Sequence, residues 1–213
     1  MRSRLLTVLW IGLAACSAGD PKAPNDANFE AALDEHYAGR PECVRVGKEA
    51  DETGIVADLG PSGFARERDV ARLDALVQFG LLEVETATVE VPNFLTGTDD
   101  TEEVSRYVLT DAGRDALRPA GQQRGFGRGA SEFCYGRRDV TAITNFTEPA
   151  DVMGVRATSV SYAYELVDVP QWARSAAVGS AFPEIAKAIG RAGSDSDDLV
   201  LTSAGWVHHQ DAP

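Results

Sequence analysis

Histidine and cysteine are scarce in this chain, three of each among 213 residues. Hydrolysis by a serine or cysteine nucleophile needs a base and an orienting group beside it, and so few histidines leave little choice of base. His36 falls in a helical stretch, while His208 and His209 lie close to the chain end. No serine sits in Gly-x-Ser-x-Gly and no two cysteines have Cys-x-x-Cys spacing, so a nucleophile elbow and a thioredoxin-type redox pair are both excluded. Basic residues are outnumbered, 20 Lys and Arg against 33 Asp and Glu, for a formal net charge of −13. A surface of that sign repels phosphate backbones, which argues against nucleic acid as a partner. Nor does any apolar run reach the roughly 20 residues a membrane-spanning helix requires.

The chain opens with Arg2 and Arg4, followed by a short apolar stretch from Leu5 to Leu13 and then Leu13-Ala14-Ala15-Cys16. A charged start, a short hydrophobic segment and small residues make up a signal peptide. The last four residues resemble the bacterial lipobox, a leucine and two small residues before an invariant cysteine. The resemblance implies a signal peptide over residues 1–15, a diacylglyceryl group on the Cys16 thiol and a membrane partner reached through that lipid. The competing reading is an ordinary secretory peptide with Cys16 incidental. Ser17 and Ala18 follow the cysteine, resembling the pattern of outer-membrane lipoproteins that face the periplasm, if the host is Gram-negative. Losing Arg2 and Arg4 takes the mature chain to about −15, so lipid rather than a basic patch must hold it at the membrane. Residues 16–28 carry Gly19, Pro21, Pro24 and Asn25 without apolar periodicity and read as a flexible lipidated tether.

With Cys16 committed to lipid, Cys43 and Cys134 remain as a pair in an oxidising compartment, where disulfides persist. A bridge between them closes a loop of about 90 residues and brings their Cα atoms to about 5.5 Å, under about 7 Å in any case. The alternative is two buried free thiols.

The fold class expected is α+β, with a winged-helix-like part over residues 29–120, a linker over 121–131 and a part rich in antiparallel sheet over 132–213. Phe29, Ala32, Leu33 and Tyr37 recur at helix spacing, with Asn28 as N-cap. Residues 43–46 alternate as a short strand, and 48–62 read as loop. Residues 62–78 form the clearest helix of the first half, with Ser62 as its cap and Val70, Leu73, Leu76 and Val77 as its stripe. Leu82 to Val91 is a strand, 92–103 a polar turn region, 104–109 a second strand, and Thr110 caps a short helix over 111–117. Gly80-Leu81-Leu82 after a helix, then Tyr107-Val108-Leu109-Thr110-Asp111-Ala112-Gly113 on a return strand, resembles part of a winged helix. That resemblance implies a compact helix–hairpin unit. Its helix balances Arg66, Arg68 and Arg72 with Glu67, Asp69 and Asp74, so the likeness is architectural.

In the second part, residues 138–146 alternate with Val140, Ala142, Thr144 and Phe146 on one face, and 147–154 form a connection. Residues 155–167 make a long strand whose bulky face holds Val160, Tyr162, Tyr164 and Leu166. Trp172 covers one end of the core, and Phe182, Ile185, Ala186 and Ile189 mark an amphipathic helix. An acidic turn with Asp195, Asp197 and Asp198 precedes closing strands at 199–201 and 206–208. That acidic stretch lacks the sixth-position glycine and the final glutamate of a calcium loop. His208 and His209, adjacent on a strand, point to opposite faces and read as an exposed polar end, so no metal or other cofactor is assigned. The whole chain is also similar to small uncharacterised proteobacterial lipoproteins, notably at Phe133-Cys134-Tyr135-Gly136 and over residues 145–151; that similarity supplies no activity.

Two functions follow. The first is a noncatalytic envelope lipoprotein that binds another envelope protein or a cell-wall component. Its candidate surface is Tyr135, Tyr162, Tyr164, Trp172 and Trp206, and it requires an exposed apolar or aromatic patch. The second is an envelope hydrolase, which requires a concave pocket where a histidine meets a carboxylate or hydroxyl.

Overall fold

In the computed structural model, residues 19–60, 67–93, 97–118 and 130–213 are described. Helix α1 spans Asp26–Ala38 and buries the stripe Phe29, Ala32, Leu33, His36 and Tyr37. Its N-cap is Asn25 rather than Asn28: the Asn25 side chain accepts from the Asn28 amide at 3.0 Å. Asn28 instead donates to the carbonyls of Asp20 and Ala23. The Trp206 indole donates to the Lys22 carbonyl at 3.1 Å. The expected tether is therefore folded against the body from Asp20 onward, because local polar side chains satisfy its backbone in place of periodic apolar contacts.

The α1 stripe packs on a six-stranded antiparallel sheet. Its strands are β1 (Glu42–Val46), β5 (Ser131–Phe146), β6 (Ala150–Val152), β7 (Val155–Val167), β8 (Gly193–Leu201) and β9 (Trp206–His208), in the order β1-β5-β7-β8-β9 with β6 also against β7. β5 starts at Ser131, earlier than the alternation suggests. Its first half pairs with β1 and its second with β7. Register shifts between Val140 and Ala142 and between Ile143 and Asn145 break its alternation. The residues that reach the α1 core are therefore Val140, Ile143 and Phe146, in place of the uniform set expected from period two. The acidic stretch is not a turn. It is the body of β8, where Asp195 and Asp197 pair opposite Tyr162 and Val160, and their charge is matched by partners on other elements.

Residues 55–59, expected as loop, form β2 (Ile55–Leu59). Gly47 sets up this strand: its φ is +60°, and a Cβ there would lie 2.1 Å from the Val56 carbonyl oxygen. β2 joins β3 (Leu82–Asn93) and β4 (Thr98–Leu109) in a second sheet, order β2-β4-β3. Most of the expected polar turn is thus strand, paired in register from Leu82↔Leu109 out to Asn93↔Thr98, although both strands are largely exposed beyond their roots. Continuous backbone pairing holds this ribbon where an apolar face does not. α2 spans Glu67–Gln78; the expected Ser62 cap and residues 121–129 of the linker lie outside the described residues. α3 (Asp111–Ala116) is capped by Thr110, whose hydroxyl accepts from the Gly113 amide at 3.0 Å.

A second core lies between α2, the roots of both sheets, and the helices α4 (Ala176–Ala181) and α5 (Pro183–Ile189). Leu73, Leu76, Phe133, Phe182 and Ile185 are among its most deeply buried members, and Trp172 and Tyr135 pack there too. α4 has no apolar period of its own. It is positioned by Ser175, which caps it, and by Val178 in the core. Cys43 and Cys134 are cross-strand partners in β1 and β5 and form a disulfide. Their Cα atoms are 3.9 Å apart, closer than the expected separation of about 5.5 Å.

Candidate metal centre

α1 ends against β9 and the short 3-10 turn His209–Asp211. The buried side of its last turn is polar. His36 is 5% exposed, and its ring stacks on that of His208, 2% exposed, with centroids 3.4 Å apart and planes 25° apart. His36 Nδ1 lies 2.7 Å from Asp211 Oδ2. One ligand atom from each of His36, His208 and Asp211 falls within 4.8 Å of the others. The cluster lines a groove of about 870 Å3, whose walls include Glu35, Arg40, Glu42, Arg45 and Glu132.

Burial lowers the pKa of His36 below the usual histidine range, with the neighbouring His208 adding to the effect, while the Asp211 hydrogen bond opposes it. Burial likewise lowers that of His208, against the pull of Asp197. Both rings are therefore neutral at physiological pH, the state that binds metal. Asp211 is held far below the usual carboxylate range, first by its hydrogen bond to Arg40 and next, burial opposing, by His36.

A second set of groups orients His208. Its Nδ1 accepts from the Gln210 amide at 3.2 Å, which leaves the proton on Nε2, facing Asp197 Oδ1 at 3.5 Å. The other oxygen of Asp197 accepts from the phenols of Tyr37 at 2.5 Å and Tyr162 at 2.6 Å. Burial opposes ionisation of Asp197, but the hydroxyls of Tyr162 and Tyr37 outweigh it and hold its carboxyl below the usual range. The cost falls on the phenols: burial, then Asp197, pushes Tyr37 up to about 12 and Tyr162 higher still. Arg138 stacks over Tyr37 and Tyr164 and bonds to Glu42 at 2.6 Å and Asp195 at 2.8 Å, closing the network. A carboxylate facing the far N–H of an imidazole is the usual outer support of a metal-binding histidine, and His208 would ligate through Nδ1 once the Gln210 amide gives way.

Arg40, one of three arginines lining the groove, contacts the cluster directly. It grips Asp211 with Nη2–Oδ1 at 2.6 Å and Nη1–Oδ2 at 3.1 Å, and Nη1 also donates to the His36 carbonyl at 3.0 Å and touches His36 Nδ1. Nη1 carries two hydrogens and meets three acceptors. A protonated Nδ1 would donate to Asp211 but face Nη1 donor to donor; an unprotonated one would accept from Arg40 but face Asp211 acceptor to acceptor. A divalent cation, if bound, would be held by His36 and Asp211 and would compete with Arg40 for the carboxylate.

The chain's other expected sites lie elsewhere. Comparison with protein-family models, curated proteins and solved structures found no match. Cys16 lies outside the described residues. The expected aromatic surface is not one surface: Tyr135 and Trp172 are buried in the α2 core, Tyr162 and Trp206 in the α1 core, and Tyr164 is half-buried beside Arg138. His208 is not part of an exposed polar end. Its alternation with His209 holds, but the buried side of β9 meets α1 rather than solvent. The missed partners are His36 and Asp211. The available signal was a carboxylate three residues after one of only three histidines, His208-His209-Gln210-Asp211.

Proposed function

We propose that this chain is a lipid-anchored envelope protein that holds one divalent transition-metal ion between His36, His208 and Asp211 and acts as a metal-dependent hydrolase. The observation that carries this is two buried imidazoles and a carboxylate whose ligand atoms converge on one wall of a groove. A concave site where histidine meets carboxylate is what the enzyme reading requires. Two nitrogen ligands and one oxygen suit zinc and its neighbours, and three protein ligands leave a coordination position for water or substrate. An ion so held supplies Lewis acidity and lowers the pKa of water toward neutrality. His36 and His208 would hold the ion, Asp197 with Tyr37 and Tyr162 would fix the ring of His208, and Glu35 on the groove wall offers an exposed carboxylate for proton transfer. The envelope address, the outer membrane facing the periplasm if the host is Gram-negative, follows from the lipobox resemblance. β2, α2, the β3–β4 hairpin and α3 support a winged-helix-like reading of the first part as architecture, and the near-balanced charge of α2 supports no nucleic-acid role.

A second reading has its own observation. The two-point grip of Arg40 on Asp211 would suit a noncatalytic protein in which this cluster clasps the last turn to α1. Zinc titration against a chromogenic chelator separates the two. The wild-type chain should bind one equivalent, and Arg40→Ala should bind about five- to tenfold more tightly, because a half-exposed ion pair worth about 1 kcal/mol no longer competes. Absence of stoichiometric binding in both proteins would leave only the clasp.

A further inference from the structure

We infer that the tip of the β6–β7 hairpin is a second, apolar contact with the bilayer that carries the Cys16 lipid. The inference rests on the lipidation reading and goes beyond it. Val152, Met153 and Val155 are 55%, 101% and 44% exposed, on a chain whose other charges keep its surface strongly acidic. Met153 and Gly154 form the two-residue turn, with φ of 51° and 86°. Asparagine or aspartate is the usual occupant of the first position of such a turn. A fully exposed methionine there has neither a packing nor a conformational reason in the fold, and this combination of strain with exposure points to a use outside it.

The sheet places this tip at the end of the molecule from which the anchored segment leaves. Ala157 of β7 pairs with Val200 of β8, and Val200 with Val207 of β9, so residues 202–205 turn at the same sheet end as Met153 and Gly154. Pro21 sits on that turn, its carbonyl oxygen 3.0 Å from where a Cβ on Gly205 would be, and Lys22 is fixed by Trp206. β6 is separated from β9 by β7 and β8, about 14 Å at ordinary strand spacing. Cys16 precedes Gly19 by three residues, so it lies within about 11 Å of it. So short a connection keeps this end of the sheet at the membrane surface. Three apolar side chains on a protruding turn suit the interfacial layer, and acidity elsewhere leaves burial of apolar area as the attraction rather than charge.

The test uses the full chain made in a lipidating bacterium, with Met153→Cys carrying an environment-sensitive fluorophore, in phosphatidylcholine vesicles. The same label on Lys187→Cys, on α5 beside the opposite end of β7, is the control. The expected result is blue-shifted emission at position 153, quenched by brominated lipid and lost when Val152→Asp and Val155→Asp are added, with no change at position 187. An unshifted label on protein whose Cys16 lipid is verified by mass spectrometry overturns the inference and leaves lipidation standing. An unmodified Cys16 overturns both. A shift that needs protein concentration but no vesicles also overturns it, in favour of a second copy as the occupant.

Discussion

Alanine at His36 or at His208 is expected to weaken zinc binding by at least about a thousandfold, the loss of about 4 kcal/mol that follows when one of only three ligands is removed. The two substitutions differ in side effects. His208→Ala also strips Asp197 of a partner and opens space beside α1, since the ring is 2% exposed. His36→Asn is the cleaner variant: its amide can still donate to Asp211 while offering no imidazole nitrogen. Far-UV circular dichroism and a urea melt establish that it folds, and competition with a chelator reads the affinity. Asp211→Asn should fall between wild type and His36→Asn, because a neutral oxygen remains available. Equal zinc affinity in wild type and His36→Asn would show that any bound zinc sits somewhere other than this cluster.

Cleaving the Cys43–Cys134 bridge should lower the free energy of unfolding by about 2–4 kcal/mol. The cysteines are 91 residues apart in sequence, and everything between them regains freedom in the unfolded chain when the bridge opens. β1 is the edge strand of the six-stranded sheet, so β5 is its only strand partner among the described residues, and the bridge ties the two together. The same neighbourhood holds Glu132, 6% exposed, whose carboxylate is met by Arg45 at 2.9 Å and Arg118 at 3.2 Å. Fraying of β1 would separate Arg45 from that carboxylate and leave its buried charge less compensated. Urea unfolding of the oxidised protein against Cys43→Ala/Cys134→Ala measures the difference. A difference in unfolding free energy of less than about 0.5 kcal/mol would mean that β1 stays docked without the bridge and that the unfolded chain is already constrained.

Elements with a strong local period could be read from the sequence. α1 declared itself through Phe29, Ala32, Leu33 and Tyr37, and β7 through Val160, Tyr162 and Tyr164. The disulfide was legible from cysteine arithmetic joined to an expected oxidising compartment. What escaped depended on partners remote in sequence. β2 is five residues long and is held by β4, about fifty residues later, a pairing no local window contains. β8 looked like a solvated turn because its acids outnumber its apolar residues. Asp197 is satisfied by phenols on α1 and β7, and Asp195 by Arg138 on β5. The two bulges in β5 likewise shift its faces without changing its composition. The candidate site failed to show for the same reason. His36 belongs to α1 and His208 to β9, and only the docking of α1 across the sheet stacks their rings. The adjacent pair His208-His209 drew attention to itself, although alternation along β9 sends its members to opposite sides and the ligand partner comes from the other end of the chain.

The central claim, that His36, His208 and Asp211 hold a metal ion, is most directly tested with cobalt(II) as the probe. Adding one equivalent to the folded wild-type chain and recording the visible spectrum reports geometry and ligands together. The prediction is a saturable band at one equivalent with the intensity of a four- or five-coordinate site, no sulfur-to-metal charge transfer, displacement by zinc, and no such band in His36→Asn. A spectrum that stays that of hexaaqua cobalt through several equivalents would contradict the claim and leave the cluster as a clasp of histidine, arginine and aspartate.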